Sequence, residues 1–136
     1  MTRLVLVAAC ALVDGDGRVL VARRPAGKAM AGLWEFPGGK IEAGERPEES
    51  LVRELREELG IEVETAALEP LTFASHAYPD FHLLMPLFLC RRWAGEPTAL
   101  EHAGLRWVDA EALGRLPMPE ADLPLIAPLA AKLAKT

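Results

Sequence analysis

The chain has 136 residues, 51% of them hydrophobic and 26% charged, which suits one globular domain over residues 1–136 with a substantial core. Its formal charge of −5, without any basic block, argues against binding to polymeric nucleic acid, although a small anion can bind where a metal or a few cationic side chains reverse the local sign. Cys10 and Cys90 lie in apolar runs, so we expect buried thiols and a cytoplasmic protein. No segment is long enough to span a membrane.

The N-terminal third predicts two strands and a long loop. Residues 3–13 and 18–24 are apolar runs on either side of an Asp-Gly-Asp-Gly turn, which favours a hairpin over a signal peptide. Residues 25–46 are rich in Gly, Pro and Ala, with a short extended piece at 34–36. A loop of this length inside a compact domain is usually functional.

The next segment, residues 47–59, predicts a helix. Pro47 suits its first turn and Gly60 its C-terminal stop, whereas Arg46 is a poor N-cap. Further strands are predicted over residues 71–78, 81–92 and 104–108.

Four later positions bear on the second half of the chain. Pro86 interrupts the longest strand and predicts a bulge or an edge position. Asp109 suits the start of a short helix through Leu113, and Asp122 suits the cap of a C-terminal helix reaching about Lys132. Pro128 should kink that helix or delay its start. Mixed strands and helices predict an α/β or α+β sandwich.

The predicted helix 47–59 places Glu54, Glu57 and Glu58 on one face, because they are spaced i, i+3 and i+4. Like charges at this spacing destabilise a helix, and a divalent cation would relieve the repulsion. A solvated face with ion pairs is the alternative, since Arg53 and Glu57 form an i, i+4 pair.

The segment Gly39-x5-Glu45-x7-Arg53-Glu54-Leu55-x-Glu57-Glu58-x-Gly60-Ile61 resembles the complete Nudix box. The resemblance extends to Gly32-Leu-Trp-Glu-Phe-Pro-Gly-Gly39 and to Trp93-Ala-Gly-Glu-Pro97, both typical of the MutT-like branch. It implies a sandwich of a mixed sheet between helices. It also implies Mg²⁺-dependent hydrolysis of a nucleoside diphosphate linked to another group, with Mn²⁺ as a possible substitute.

The resemblance also implies roles for individual residues. The expected metal ligands are the carbonyl of Gly38 and the carboxylates of Glu54, Glu57, Glu58 and Glu101. The general base is Glu54 or Glu101, with Glu54 preferred. Arg53 is expected to orient a catalytic carboxylate, with Glu45 as its partner behind the metal ligands.

Substrate contacts are predicted less specifically. Arg24 and Lys40 are candidate phosphate clamps, and Arg23 is a weaker one that can equally be an exposed strand end. Phe36 and Tyr78 can wall an apolar base pocket, although such residues are more often part of a core.

Asp122 bears on the choice of base. MutT-like sequences often carry Asn there, and an ionised Asp only accepts hydrogen bonds. It would favour the paired donors of a guanine, or the single amino group of cytosine; a protonated Asp could also donate. A helix cap is the structural alternative.

These features predict a nucleoside triphosphate pyrophosphohydrolase that clears oxidised nucleotides such as 8-oxo-dGTP. A CTP or modified-dCTP pyrophosphohydrolase, an ADP-ribose or dinucleoside polyphosphate hydrolase, and a nucleotide-sensing or partner-binding Nudix module are the alternatives. The retained carboxylates disfavour the last. The sequence does not predict the oligomeric state.

Overall fold

A computed structural model describes residues 2–135. Seven strands and three α-helices follow one another within this part of the chain, with a short 3-10 helix at Thr65–Ala67. In chain order they are β1 (Arg3–Leu12), β2 (Val19–Arg23), β3 (Trp34–Glu35), β4 (Gly38–Lys40), α1 (Pro47–Leu59), β5 (Leu68–Ala77), β6 (Phe81–Cys90), β7 (Gly104–Val108), α2 (Ala110–Leu113) and α3 (Leu123–Ala134). No helix of residues 2–135 is long and apolar enough to cross a membrane.

The strands form two sheets. A mixed four-stranded sheet has the order β4-β1-β6-β5, in which β1 and β6 are parallel and the other pairs are antiparallel. A three-stranded antiparallel sheet has the order β3-β2-β7. The first is the mixed sheet that the resemblance implies, and the second is an additional sheet that the sequence analysis did not predict.

The predicted hairpin between residues 3–13 and 18–24 is wrong, although both strands exist. They lie in different sheets and meet through a single bridge between Val13 and Val19. The reason is that β1 already bonds to β6 on one edge and to β4 on the other, so neither edge remains for β2.

Helices cover both sides of the sheets, which confirms the predicted sandwich. Successive residues of β1 point to opposite faces. Ala8, Cys10 and Leu12 pack with the apolar stripe of α1, whereas Ala9 and Ala11 pack with residues of α2 and α3. Both cysteines are buried and free.

The ends of α1 confirm two predictions. Gly60 adopts a left-handed conformation with φ +70°, and its N–H donates to the Arg56 carbonyl. Arg46 offers no accepting side chain at the start of the helix; instead the Glu49 carboxylate accepts from the Arg46 N–H at 2.8 Å.

The prediction for Pro86 is wrong. Pro86 lies in β6, an inner strand of its sheet, and the register shift occurs in β5 between Pro70 and Thr72. The parallel ladder pairs Leu6 with Leu84 and resumes at Ala9 and Leu87. The missing N–H of the proline is thereby accommodated without an edge position.

Two further differences concern α3 and the loop 25–46. The helix α3 runs from Leu123 to Ala134 across Pro128, so its start is not delayed. The loop contains not only the expected piece at β3 but also β4, which the sequence analysis missed because Gly-Gly-Lys has low strand propensity.

A candidate active site between the glycine strand and helix α1

Two glycines of β4 let the backbone approach its neighbours closely. A Cβ on Gly38 would lie 2.0 Å from the Ala8 carbonyl oxygen, in the adjacent strand β1. A Cβ on Gly39 would lie 2.4 Å from Cδ of Glu54. The side chain of Glu54 therefore lies directly on the Gly39 backbone, and only glycine leaves space for it.

Arg53 links helix α1 to the loop before it. Its Nε and Nη2 donate to the two carboxylate oxygens of Glu45, both at 2.9 Å, and its Nη1 donates to Glu54 Oε1 at 2.7 Å. Arg53 lowers the pKa of Glu45 to about 2, and Glu45 with Glu54 raises the pKa of Arg53. A fourth hydrogen bond runs from Nη2 to the Lys40 carbonyl at 3.2 Å.

An open cleft of about 670 Å³ lies beside these residues. It brings together most of the predicted ligands and phosphate contacts, and it adds two side chains that the sequence analysis did not assign, Glu35 and His102. The lining residues that matter here are Arg24, Lys28, Glu35, Gly38, Gly39, Lys40, Glu54, Glu58, Glu101 and His102.

One carboxyl group in the cleft, that of Glu58, lies where ionisation is strongly disfavoured. Glu58 is only 4% exposed. Burial first, and then its neighbours Glu54, Glu35 and Glu101, raise its pKa far above the usual range. A bound cation would offset the repulsion that these neighbours exert on an ionised Glu58.

The oxygen atoms available in the cleft are of the kind that bind a hard divalent cation. Carboxylates and backbone carbonyls are oxygen ligands that Mg²⁺ prefers. The Glu54 carboxylate occupies the space that a Cβ on Gly39 would need, so it lies directly beside the β4 backbone. Among residues 2–135, however, no three carboxylate, thiol or imidazole side chains form a preformed metal site. Glu57, also predicted as a ligand, does not line the cleft; its side chain is half-exposed, with its carboxylate 3.8 Å from Nη1 of Arg53.

Glu101 and His102 reach the cleft on the loop before β7. Backbone bonds from Thr98 N to the Leu59 carbonyl and from Leu100 N to the Glu58 carbonyl attach this loop to the end of α1. The loop thereby satisfies the last carbonyls of the helix. It also holds Glu101 close enough to act on Glu58.

A smaller cavity of about 210 Å³ adjoins the cleft and shares its walls at Arg24, Glu35 and the β4 backbone. Residues 7–9 of β1, together with Phe36, Met85 and Asp122, complete it. Phe36 is buried in the apolar core on the side of α2 and α3, here called the main core, as expected for a single aromatic residue. It also borders this cavity. Met85 was not predicted, because an apolar residue in a strand carries no signal of a site.

The predicted helix cap at Asp122 is wrong. Asp122 immediately precedes α3, but it has a helical conformation and makes no side-chain bond to that helix. Its Oδ2 instead accepts from the Phe36 N–H at 3.4 Å. Burial, together with the charge of Glu35, raises its pKa to about 7.

Two predicted substrate contacts lie apart from the cleft. The guanidinium of Arg23 stacks on the Trp34 ring, with 5.8 Å from Cζ to the ring centroid. Tyr78 stacks on Phe81 at 5.0 Å and packs against the main core. Burial raises the pKa of Tyr78, and the charge of Asp122 raises it further. Tyr78 does not line the smaller cavity.

Comparison with known proteins agrees with this geometry. A family model described as NUDIX domain matches residues 8–128. The chain belongs to this family. Nudix hydrolases generally need a divalent metal ion, in keeping with the carboxylates of the cleft.

The relatives define the branch of the family. The 8-oxo-dGTP diphosphatase of Escherichia coli K12 is 40% identical over 115 residues, covering 84% of this chain and 87% of that protein. The CTP pyrophosphohydrolase of the same organism is 40% identical over 126 residues, covering 85% and 84%. This chain is thus a MutT-like Nudix hydrolase, an enzyme that acts on diphosphate bonds.

Solved structures show the same fold. The solution structure of the E. coli ORF135 protein is 35% identical, with a TM-score of 0.86, and the match covers 98% of this chain and 94% of that one. The MutT NUDIX hydrolase of Burkholderia pseudomallei is 30% identical, with a TM-score of 0.81 and coverage of 92% and 97%.

Proposed function

We propose that this enzyme is a Mg²⁺-dependent nucleoside triphosphate pyrophosphohydrolase that clears oxidised nucleotides such as 8-oxo-dGTP. The observation that carries the proposal is the continuity of two spaces. A carboxylate-lined cleft with cationic residues adjoins a smaller, more enclosed cavity that contains a buried Asp122. A triphosphate suits the first space and a nucleobase the second.

The cleft supplies what hydrolysis of a phosphoric anhydride needs. A divalent cation held by Glu54, Glu57, Glu58, Glu101 and the Gly38 carbonyl would neutralise phosphate oxygens and make a water more acidic. Arg24 and Lys40 line the same cleft and would hold the triphosphate. We assign Glu54 as the base, because Arg53 holds its carboxylate in one orientation.

The proposed reaction is balanced by one water. The water attacks the β-phosphorus as Glu54 takes its proton, and the bond between the β-phosphorus and the oxygen bridging it to the α-phosphorus breaks. The bridging oxygen leaves with the α-phosphate, so the products are a nucleoside monophosphate and pyrophosphate. Glu101 is the alternative base and lies in the same cleft.

Asp122 favours a base edge that carries hydrogen-bond donors. When ionised, its carboxylate only accepts, and a guanine offers N1–H and N2–H₂ side by side. Several relatives are named 8-oxo-dGTP diphosphatase, in E. coli, Proteus vulgaris and Haemophilus influenzae. These names support an oxidised guanine nucleotide as the substrate of this chain.

A CTP-type substrate is the second candidate. The E. coli relative named CTP pyrophosphohydrolase is as similar in identity as the E. coli 8-oxo-dGTP diphosphatase. The N4–H₂ of cytosine can also donate to Asp122. We further propose that residues 1–136 act as one domain in the cytosol, where nucleoside triphosphates are used.

A panel of nucleotides with product analysis tests the proposal. The enzyme with Mg²⁺ is given 8-oxo-dGTP, dGTP, CTP, dCTP, ADP-ribose and a dinucleoside tetraphosphate at equal concentrations. We expect the highest kcat/KM for 8-oxo-dGTP, with pyrophosphate and the monophosphate as products. Pyrophosphate release only from CTP or dCTP would select the second candidate, and hydrolysis of ADP-ribose alone would refute both.

A further inference from the structure

His102 occupies a position that the proposed catalytic set does not explain. Its side chain is 7% exposed, and its Nε2 lies 2.9 Å from Glu35 Oε2. Because a carboxylate oxygen only accepts, Nε2 carries the hydrogen and donates a hydrogen bond to Glu35. The bond joins the loop before β7 to β3, across one side of the cleft.

Glu35 is shared between His102 and a proposed phosphate contact. Its other oxygen, Oε1, accepts from Nη1 of Arg24 at 2.9 Å. The Nε of Arg24 donates to the Ala29 carbonyl at 2.7 Å. A guanidinium has five N–H donors, so these two bonds orient Arg24 and leave donors for a ligand in the cleft.

The second ring nitrogen of His102 shows that the histidine is turned towards Glu35 alone. Nδ1 is buried without a hydrogen-bond partner among the described residues. Its nearest carboxylate oxygen is Glu58 Oε1, at 3.7 Å, which is beyond hydrogen-bond length. The hydrogen bond of the His102 ring is therefore the one to Glu35, and Glu58 receives none from it.

The loop has enough other contacts to keep its path without this side chain. Backbone N–H groups of Thr98, Leu100 and Ala103 donate to carbonyls of Leu59, Glu58 and Arg23. A role limited to loop folding would therefore make little use of a buried, charge-assisted bond to Glu35. The bond instead fixes the carboxylate that orients Arg24.

We propose that His102 is a positioning residue for the substrate, which holds Glu35 and through it sets the direction of the Arg24 guanidinium. This inference rests on the proposed function, since it takes the triphosphate as the ligand of Arg24. It predicts an effect on substrate affinity more than on turnover, because His102 contacts neither the proposed base nor its orienting arginine.

Two variants distinguish the effect of the His102 hydrogen bond from the effect of packing its ring. His102→Phe keeps a planar ring but removes the donor, whereas His102→Gln can place an amide N–H near the former Nε2. We expect His102→Phe to raise KM for the best nucleotide about tenfold, with kcat changed less than about threefold, because a hydrogen bond to a charged group is lost. His102→Gln should recover most of the affinity.

The matched control is His82→Phe. His82 bonds to Ser75 on the face of the four-stranded sheet and does not line the cleft. This variant should leave KM unchanged. A His102→Phe enzyme with unchanged KM, or a His102→Gln enzyme as impaired as His102→Phe, would overturn the proposal.

A double-mutant cycle tests the route through Glu35. Glu35→Leu, which removes both accepting oxygens, should raise KM by itself, and adding His102→Phe to it should have little further effect, because the bond to His102 is already lost. Fully additive effects would show that His102 acts by another route, and so would contradict the proposal.

A readout without substrate or metal separates this inference from the proposed function. Long-range ¹H–¹⁵N NMR spectra of the free protein should show His102 with its proton on Nε2, and Glu35→Gln should shift that signal. A proton on Nδ1 alone would refute the positioning role whatever the substrate is. The Nε2 signal with no hydrolysis of any triphosphate would refute the proposed function instead.

Discussion

At the scale of the residue, Arg53 explains how a row of glutamates becomes a directed set. It binds both oxygens of Glu45 and one of Glu54, so it couples the loop before α1 to the proposed base. A guanidinium can make these contacts at once because its donors lie in one plane.

Replacing Glu54 with Gln tests the proposed base. The amide keeps the size of the side chain but cannot take a proton, so we expect kcat to fall by about a hundredfold or more while the fold is retained. Glu48→Gln, on the first turn of the same helix and outside the cleft, is the matched control. Turnover close to wild type would transfer the role to Glu101.

Replacing Arg53 with Lys tests the coupling. A lysine cannot hold Glu45 and Glu54 with the same fork, so kcat/KM should decrease about tenfold or more. Arg56→Lys removes a similar two-bond pair with Glu62 on the exposed side of the helix. That control should keep its activity, and an equal loss in both variants would contradict a specific role for Arg53.

Asp122 predicts a pH-dependent stability. Its pKa is about 7 in the folded protein and near 4 in an unfolded chain, so the folded state binds more protons between these values. The contribution of Asp122 to the free energy of unfolding therefore falls as pH rises from about 4 to 7, by up to about 1.4 kcal/mol per pH unit. Asp122→Asn should reduce this decline in denaturant titrations at pH 5 and 7.5.

The same substitution also tests the role of Asp122 in choosing the base. Asn both donates and accepts, so Asp122→Asn should change the ranking of nucleotides more than the rate on the best one. An unchanged ranking, together with unchanged pH dependence, would show that the carboxyl is neither in contact with the base nor buried as the structure has it.

The sequence indicated some residues of the site and missed others. Glu54, Glu58 and Glu101 were predicted to share a cleft, and the structure places them there. Glu35 and His102 carried no signal, because their meeting depends on β3 and the loop before β7 approaching from distant parts of the chain. The cap at Asp122 failed because a short acidic side chain fits either a helix end or a buried contact.

At the scale of the element, the site depends on the fit between β4 and α1. Gly38 is required by the strand beside it and Gly39 by the helix opposite it. The two glycines therefore have different physical roles, which their adjacent positions in the sequence do not reveal.

Alanine at each glycine should separate these roles. Gly39→Ala places a Cβ against the Glu54 carboxylate, a flexible side chain, so we expect activity to fall at least tenfold with little loss of stability. Gly38→Ala places a Cβ against the Ala8 backbone and should lower the free energy of unfolding by about 1–3 kcal/mol. Kinetics and chemical denaturation of both variants check this contrast, and similar stability losses would contradict it.

The elements themselves were largely predictable where a period or a stop signal was strong. The bounds of α1 agree with Pro47 and Gly60, and β7 and α2 begin where expected. Strand pairing was not predictable, because the alternation of β1 is the same whether its partner is β2 or β6.

At the scale of the whole molecule, the two apolar cores fix the distance between the site's parts. Helix α1 packs on one side of the strands, and α2 and α3 pack on the other. Strand β4, which carries Gly38, and the connecting segments that carry Glu101 and Asp122 therefore converge around one cleft and its adjoining cavity, although they lie in separate parts of the chain.

The central claim is that this convergence exists to hold a divalent cation against a polyphosphate. A crystal of the protein with Mn²⁺ and a non-hydrolysable triphosphate analogue, measured for anomalous scattering, tests it most directly. We predict a peak bound by Glu54, Glu58 and the Gly38 carbonyl, with phosphates facing Arg24 and Lys40. A peak elsewhere, with the phosphates away from the cleft, would contradict the claim.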